Sequence, residues 1–288
     1  MAAKRVVIAG GNGFLGSRIC KSAVARGWSV TSLSRSGEPR WDTVTGSAIR
    51  PSWASSVEWA RADILKPETY KPFLQGAAAV IHSMGILLEA DYKGVVQGRE
   101  PIFNGLQKVF GASRPGSQNL PERREEGEPL EARDRSRQFT YELMNRDSAI
   151  ALAQETRHER VPTFVYISAA SGAPVLPSRY ITTKREAESI IAAQLPELRN
   201  VFVQAPFMYD ESRKFTLPIA LGGFVGSQVN ALLGNKLDFL GSMVTKPLKV
   251  DEVGEAVVEA LEDESVRGAL GVQMIEALAT KAWRKSML

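Results

Sequence analysis

The sequence predicts an α/β protein built on a doubly wound parallel sheet with a small, apolar C-terminal lobe. Three observations carry this. An aliphatic run, Arg5-Val6-Val7-Ile8-Ala9, breaks directly into glycine and then into a helical pattern. Short apolar strands alternate with helical segments from about residue 4 to 206, the mark of parallel βαβ units. Phe215 to Leu240 is apolar but studded with Gly, Gln, Asn and Lys, within a lobe of about 207–247, and strand and helix signals resume over 248–288.

Bulk properties narrow the classes. The 288 residues, 44% hydrophobic and 24% charged, suit a single large domain. The net charge of +4 is mild, and no basic stripe is concentrated enough for nucleic acid. One cysteine, Cys20, and two histidines exclude an internal disulfide and a cluster of nitrogen and sulfur metal ligands. No window approaches the ~18 uninterrupted apolar residues of a transmembrane segment. No secretory signal is expected before the first strand, and Met1 to Arg5 is too short for a transit peptide.

The first strand runs into Gly10-Gly11-Asn12-Gly13-Phe14-Leu15-Gly16, a G-x-x-G-x-x-G frame. Gly10 permits a tight turn, Gly13 lets backbone approach a pyrophosphate, and Gly16 allows close helix–strand packing. The helix that follows, Phe14 to Arg26 with Gly27 past its end, aims its positive dipole end at the phosphates. Trp28 to Leu33 is the second strand. Dinucleotide sites that take an unphosphorylated ribose place a carboxylate about 20 residues past the loop. Here Ser34 and Arg35 stand there instead, with no carboxylate before Glu38, which favours a 2′-phosphate and hence NADP(H) over NAD(H).

Glu38 to Ser56 reads as an irregular polar loop. A third strand (Val57 to Ala60), Asp63-Ile64, a short helix opened by Pro67 and closed by Gly76, and a fourth strand (Ala77 to His82) complete a mononucleotide-binding half. Gly85 to Gln138 exceeds an ordinary connection, and its second part, about 111–138, reads as a flexible charged insertion. A helix from Phe139 to His158 contains Asn145. The fifth strand is Thr163 to Ile167, a helix follows from Arg179, and a sixth strand from Asn200 to Gln204 is halted by Pro206. Leu248 to Val250 reads as a strand, Asp251 as the cap of a helix from Glu252 to Glu262, and Val272 to Ile275 as a last strand before a final helix.

Tyr180 and Lys184 lie four apart on a helix, so their side chains share a face. A phenol titrates near pH 10, and a neighbouring ammonium is expected to lower that value by stabilising the phenolate. The same lysine reaches a nicotinamide ribose.

The glycine loop, Asp63-Ile64, Asn145 and Tyr180 with Lys184 resemble the short-chain dehydrogenase/reductase superfamily, in its extended and atypical branches. Ser83-Met84-Gly85-Ile86-Leu87-Leu88-Glu89, Phe139-Thr140-Tyr141-Glu142 and Ser178-Arg179-Tyr180 are similar to fungal mitochondrial proteins that accompany the coenzyme Q biosynthetic complex. Those in turn are similar to the NAD(P)-binding accessory subunit of respiratory complex I. The resemblance implies a Rossmann-type fold and NADP(H) contacts at Gly10, Asn12, Gly13, Phe14, Leu15 and Gly16. It implies 2′-phosphate contacts at Ser34 and Arg35, and adenine contacts at Asp63 and Ile64. Ser83, Met84, Gly85, Lys184, Pro206 and Phe207 would serve the rest of the cofactor. Tyr180 would be the acid, Lys184 its tuner, Asn145 the support of a proton relay, and Ser168 a holder of substrate oxygen. A small hydrophobic substrate or quinone, and a complex peripheral to the matrix side of the inner membrane, are the implied partners.

Two residues depart from that pattern. A hydroxyl is expected at the second position past the fifth strand, where this chain has Ala169, with Ser168 before it and Ser171 beyond. The sixth strand ends Gln204-Ala205-Pro206, where relatives carry Arg-Pro. Losing one donor to a reacting oxygen costs on the order of 10²–10³ in rate. Two functions therefore stay open: an NADPH-dependent reductase of a hydrophobic carbonyl, and a non-catalytic subunit stabilised by NADP(H). A nucleotide-sugar enzyme would want a more polar lobe.

Overall fold

The computed structural model describes residues 3–85, 140–170, 178–210 and 246–287. Seven parallel strands form one sheet in the order β3-β2-β1-β4-β5-β6-β9. They are β1 (Arg5–Ala9), β2 (Ser29–Ser34), β3 (Val57–Arg61), β4 (Ala79–His82), β5 (Thr163–Ala169), β6 (Arg199–Ala205) and β9 (Gly268–Leu270). A two-stranded parallel pair, β7 (Met208–Tyr209) with β8 (Leu248–Lys249), lies apart from it.

The central strands are apolar at successive residues because both faces are covered. On one face Val6, Ile8, Ile81, Val165 and Val203 pack with α1 (Phe14–Ala25), α6 (Val250–Glu262) and α7 (Val272–Ser286). On the other, Val7, Val80, Phe164 and Tyr166 pack with α4 (Ser148–His158) and α5 (Ser178–Gln194). Strand order reverses between β1 and β4, so a crevice opens at their C-terminal ends, where open α/β sheets bind ligands. Cys20 is a buried core residue of α1, and burial pushes its thiol up.

Several elements differ from the sequence expectation. The 38–56 stretch is not irregular: α2 (Trp41–Val44) and a 3-10 turn (Ser52–Ser56) bring Trp41, Trp53 and Trp59 into edge and tilted contact, with ring centroids 5.4–6.4 Å apart. Val272 opens a helix rather than a strand, because Ile275, Leu278, Ala279 and Ala282 repeat at helical spacing and are all buried. Asp251 lies inside the first turn of α6, whose N-cap is Lys249; its carboxylate meets Arg18 at 3.4 Å and Lys21 at 3.1 Å. The short helix after Pro67 divides into a 3-10 turn (Pro67–Thr69) and α3 (Lys71–Leu74). The helix carrying Asn145 begins as a π-turn (Glu142–Asp147) before α4. The expected insertion, the Phe215–Leu240 lobe and Ser171 lie outside the described residues. No described helix is long and apolar enough to cross a membrane.

Candidate functional site

The glycine loop is a tight turn from β1 into α1. Gly10 has φ +83°, a left-handed conformation that a side chain would strain. Its N–H donates to the Leu33 carbonyl at 2.8 Å, and its own carbonyl accepts from Gly13 N–H at 2.9 Å. Gly16 packs so closely on that carbonyl that a Cβ would overlap it, with Gly11 Cα only 2.8 Å away. Gly11, not singled out from the sequence, is as constrained: a Cβ there would meet Ser32 Cβ at 2.8 Å and Cys20 Sγ at 3.0 Å. The signal was the adjacent Gly10-Gly11 pair. Gly13 is the N-cap of α1, in extended conformation. Leu15 is buried in the core.

Asn12 Nδ2 donates to Ser36 Oγ at 2.8 Å and ties the glycine loop to the end of β2. Ser34 corrects the expectation made for it: it is buried, and its hydroxyl donates to the Gly37 carbonyl at 2.8 Å, closing the turn. Arg35 and Ser36 are the exposed pair at this corner. Asp63 Oδ1 accepts from Leu65 N–H at 3.1 Å in an Asx-turn. Ile64 lines a small apolar cavity with Ala9, Leu33, Ala62, Tyr70 and Met84. The Ser83 hydroxyl donates to the Ala9 carbonyl at 2.9 Å. Met84 packs over the loop, its Cγ 2.7 Å from where a Gly10 Cβ would stand.

Three sequence-predicted residues meet at the end of β4. A Cβ on Gly85 would lie 2.9 Å from Asn145 Oδ1 and 3.5 Å from Lys184 Nζ. Asn145 is fully buried, and its main-chain carbonyl accepts from the Tyr166 hydroxyl. The Lys184 ammonium donates to the Ile167 carbonyl at 2.8 Å and sits 5.0 Å from the Tyr166 ring centroid and 5.5 Å from that of Tyr180. Burial pulls Lys184 down to about 7, partly opposed by Glu188. Tyr180 is half-buried and stands edge-on to Tyr141 at 6.0 Å. Burial, then Tyr141, pushes it up to about 12. This overturns the expected lowering: the ammonium turns to a backbone carbonyl and not to the phenol oxygen, and desolvation governs both groups.

β5 extends through Ala169, so Ser168 and Ala169 are strand residues and not the first two of a loop. Ser168 Oγ is buried without a hydrogen-bond partner among the described residues. Gln204 donates to Glu188 Oε2 at 2.9 Å, and Glu188 also takes Arg185 at 2.6 Å. Pro206 is buried beyond β6, and the Phe207 carbonyl accepts from Leu248 N–H at 3.1 Å. Sequence reasoning missed Tyr166 and His82, which read only as strand residues.

The fold and crevice define a doubly wound α/β protein with the loop geometry of a dinucleotide site. Residues 6–91 match the NAD dependent epimerase/dehydratase family. The chain is 32% identical to MIOREX complex component 2 of Saccharomyces cerevisiae over 94% of this chain and 98% of that protein, and it belongs to that protein's family. An uncharacterised chloroplastic protein of Arabidopsis thaliana is 23% identical over 96% of this chain and 78% of its own. Among solved structures, UDP-glucuronic acid 4-epimerase from Bacillus cereus in complex with NAD superposes with a TM-score of 0.54 at 14% identity, covering 93% of this chain and 78% of that one. Vestitone reductase from alfalfa gives 0.50 at 18%, covering 92% and 74%. These two likenesses show the fold alone.

Proposed function

We propose that this protein binds NADP(H) across the C-terminal ends of β1, β2 and β4 and reduces a hydrophobic carbonyl with it. The observation that carries the reading is the meeting of Gly85, Asn145 and Lys184 one strand away from the glycine loop. The loop's backbone and the start of α1 hold the pyrophosphate. Arg35, with Ser36 beside it, takes the 2′-phosphate, and Asp63 and Ile64 flank the adenine. Lys184 and Asn145 border the nicotinamide half. The reduced cofactor supplies a hydride when bound. Tyr180, held protonated at neutral pH, gives its proton to the substrate oxygen as the carbonyl becomes an alcohol. By likeness to the fungal proteins, the substrate is a quinone or polyprenylated ring of ubiquinone biosynthesis, and the location is mitochondrial.

The test is stopped-flow oxidation of bound NADPH by a panel of short-chain quinones and ketones, with Tyr180→Phe as control. Oxidation by one class, lost in the variant, supports the reading; none across the panel contradicts it.

A second reading has its own support. The yeast relative is named as a complex component, and the Lys184 ammonium is engaged by the Ile167 carbonyl. Bound NADP(H) would then stabilise a docking subunit without turnover, by about 2.7 kcal/mol at a hundredfold excess over Kd. A large thermal shift with NADPH and no oxidation would favour it.

A further inference from the structure

A π-turn displaces the i→i−4 hydrogen-bond ladder, so its carbonyls take other donors, and such turns recur at functional sites. In Glu142–Asp147 one such donor comes from a neighbouring strand, and another from the following helix, where a second strand holds it. The Asn145 carbonyl takes the hydroxyl of Tyr166 on β5. The Met144 carbonyl takes the hydroxyl of Ser148 at 2.9 Å. Ser148 Oγ lies 2.9 Å from Nε2 of His82 on β4. A hydroxyl has one proton, and Ser148 gives it to Met144, so its oxygen accepts here and His82 Nε2 carries the hydrogen. His82 Nδ1 is then a bare acceptor, buried with no partner among the described residues. Tyr166 and His82 are both fully buried, with ring centroids 5.5 Å apart. Two ion pairs, Glu142–Arg179 at 2.6 Å and Arg146–Glu186 at 2.8 Å, fasten the outer side of the same turn to α5. These pairs are partly exposed and contribute little by themselves.

We propose that Tyr166 and His82 are positioning residues for the nicotinamide half of the site. From β5 Tyr166 holds the Asn145 carbonyl, and from β4 His82 holds the Ser148 hydroxyl that donates to the Met144 carbonyl, and together they hold the Asn145 amide against Gly85 and Lys184. Neither touches cofactor. The assignment rests on the proposed cofactor reading for its binding consequence, but not for the hold on the π-turn itself.

Two measurements on the full chain test it. Hydrogen exchange of the ligand-free protein reads the turn, and titrations compare NADPH with adenosine 2′,5′-bisphosphate, which lacks the nicotinamide half. Tyr166→Phe should quicken exchange over residues 142–148 and weaken NADPH by about fivefold to tenfold, the scale of one lost hydrogen bond. Bisphosphate affinity should not change. His82→Gln, whose amide nitrogen reaches the place of Nε2, should behave as wild type, and His82→Leu as Tyr166→Phe. Unchanged exchange in Tyr166→Phe, or an equal loss for both ligands, would overturn the proposal. Should wild type bind neither ligand, the cofactor reading fails, and the exchange comparison still decides whether these residues hold the turn.

Discussion

The Lys184 ammonium donates to the Ile167 carbonyl at 2.8 Å, and the lysine is almost wholly buried. A cation there has one backbone dipole and, one turn on, Glu188, whose oxygens are already occupied by Arg185 and Gln204. Burial therefore wins, and the group titrates near 7 instead of 10.5.

That has a consequence for stability. Below pH 7 both folded and unfolded chains hold the proton, and the penalty of burying the charge is present in full. Between pH 7 and about 10.5 the unfolded chain keeps the proton and the folded one releases it, so stability from this group rises with pH. The slope reaches about 1.4 kcal/mol per pH unit. Urea melts of wild type and Lys184→Met across pH 6 to 10 should diverge over that range, with the slope absent in the variant. Parallel curves would contradict the burial argument.

Gly16 has no room for a methyl group, because the Gly10 carbonyl and Gly11 Cα occupy its space. Gly16→Ala should push α1 away from the loop and cost about 1–3 kcal/mol in a thermal melt, as overpacking does. Gly27→Ala meets no atom within 4 Å but must adopt φ +72°, so it should cost about 1 kcal/mol through backbone strain alone. Equal effects of the two on NADPH affinity would contradict the placing of Gly16 in the cofactor loop.

Glu259 of α6 has a fully buried side chain that gathers Lys285 at 2.6 Å, Arg26 at 3.1 Å and Lys281 at 3.2 Å, joining α1, α6 and α7. Burial raises this carboxyl, but the hydrogen bonds from Lys285, Lys281 and Arg26 outweigh it and hold it below the ordinary carboxylate range. The three cations are partly exposed and are rehydrated when the carboxylate is removed. Glu259→Ala should then cost about 2 kcal/mol, less than a fully enclosed pair. The difference from wild type should be complete above the unfolded value near 4.5 and vanish as pH falls through the lower folded value. Denaturant midpoints at pH 7 and pH 3 check it.

Much of the sheet was legible because buried parallel strands write themselves as aliphatic runs. Val6 to Ala9, Val80 to His82 and Phe164 to Ile167 all fall in strands where expected. The glycine loop was legible because backbone geometry there excludes side chains. Other features left no periodic trace. The Trp41, Trp53 and Trp59 contacts depend on two short turns folding a polar stretch onto β3. The four residues from Val272 to Ile275 were too few to separate a strand from the first turn of a helix. Ser34 and Ser83 looked like ligand hydroxyls, but Ser34 donates to the Gly37 carbonyl of its own turn and Ser83 to the Ala9 carbonyl of β1, contacts that spacing along the chain does not reveal. The π-turn shares the apolar spacing of an ordinary helix, so the positions of Tyr166 and His82 beneath Asn145 could not be read from spacing.

The exposed Arg35 at the end of β2, beside Ser36, is the feature on which the choice of cofactor turns. A charge-assisted contact to a phosphate is about twice as strong as a neutral one. The most direct measurement is a calorimetric titration of wild type and Arg35→Ala with NADPH and with NADH. The account predicts that wild type binds NADPH at least tenfold more tightly, and that Arg35→Ala loses this preference with little change for NADH. Equal affinity of wild type for the two, or binding of neither, would contradict it.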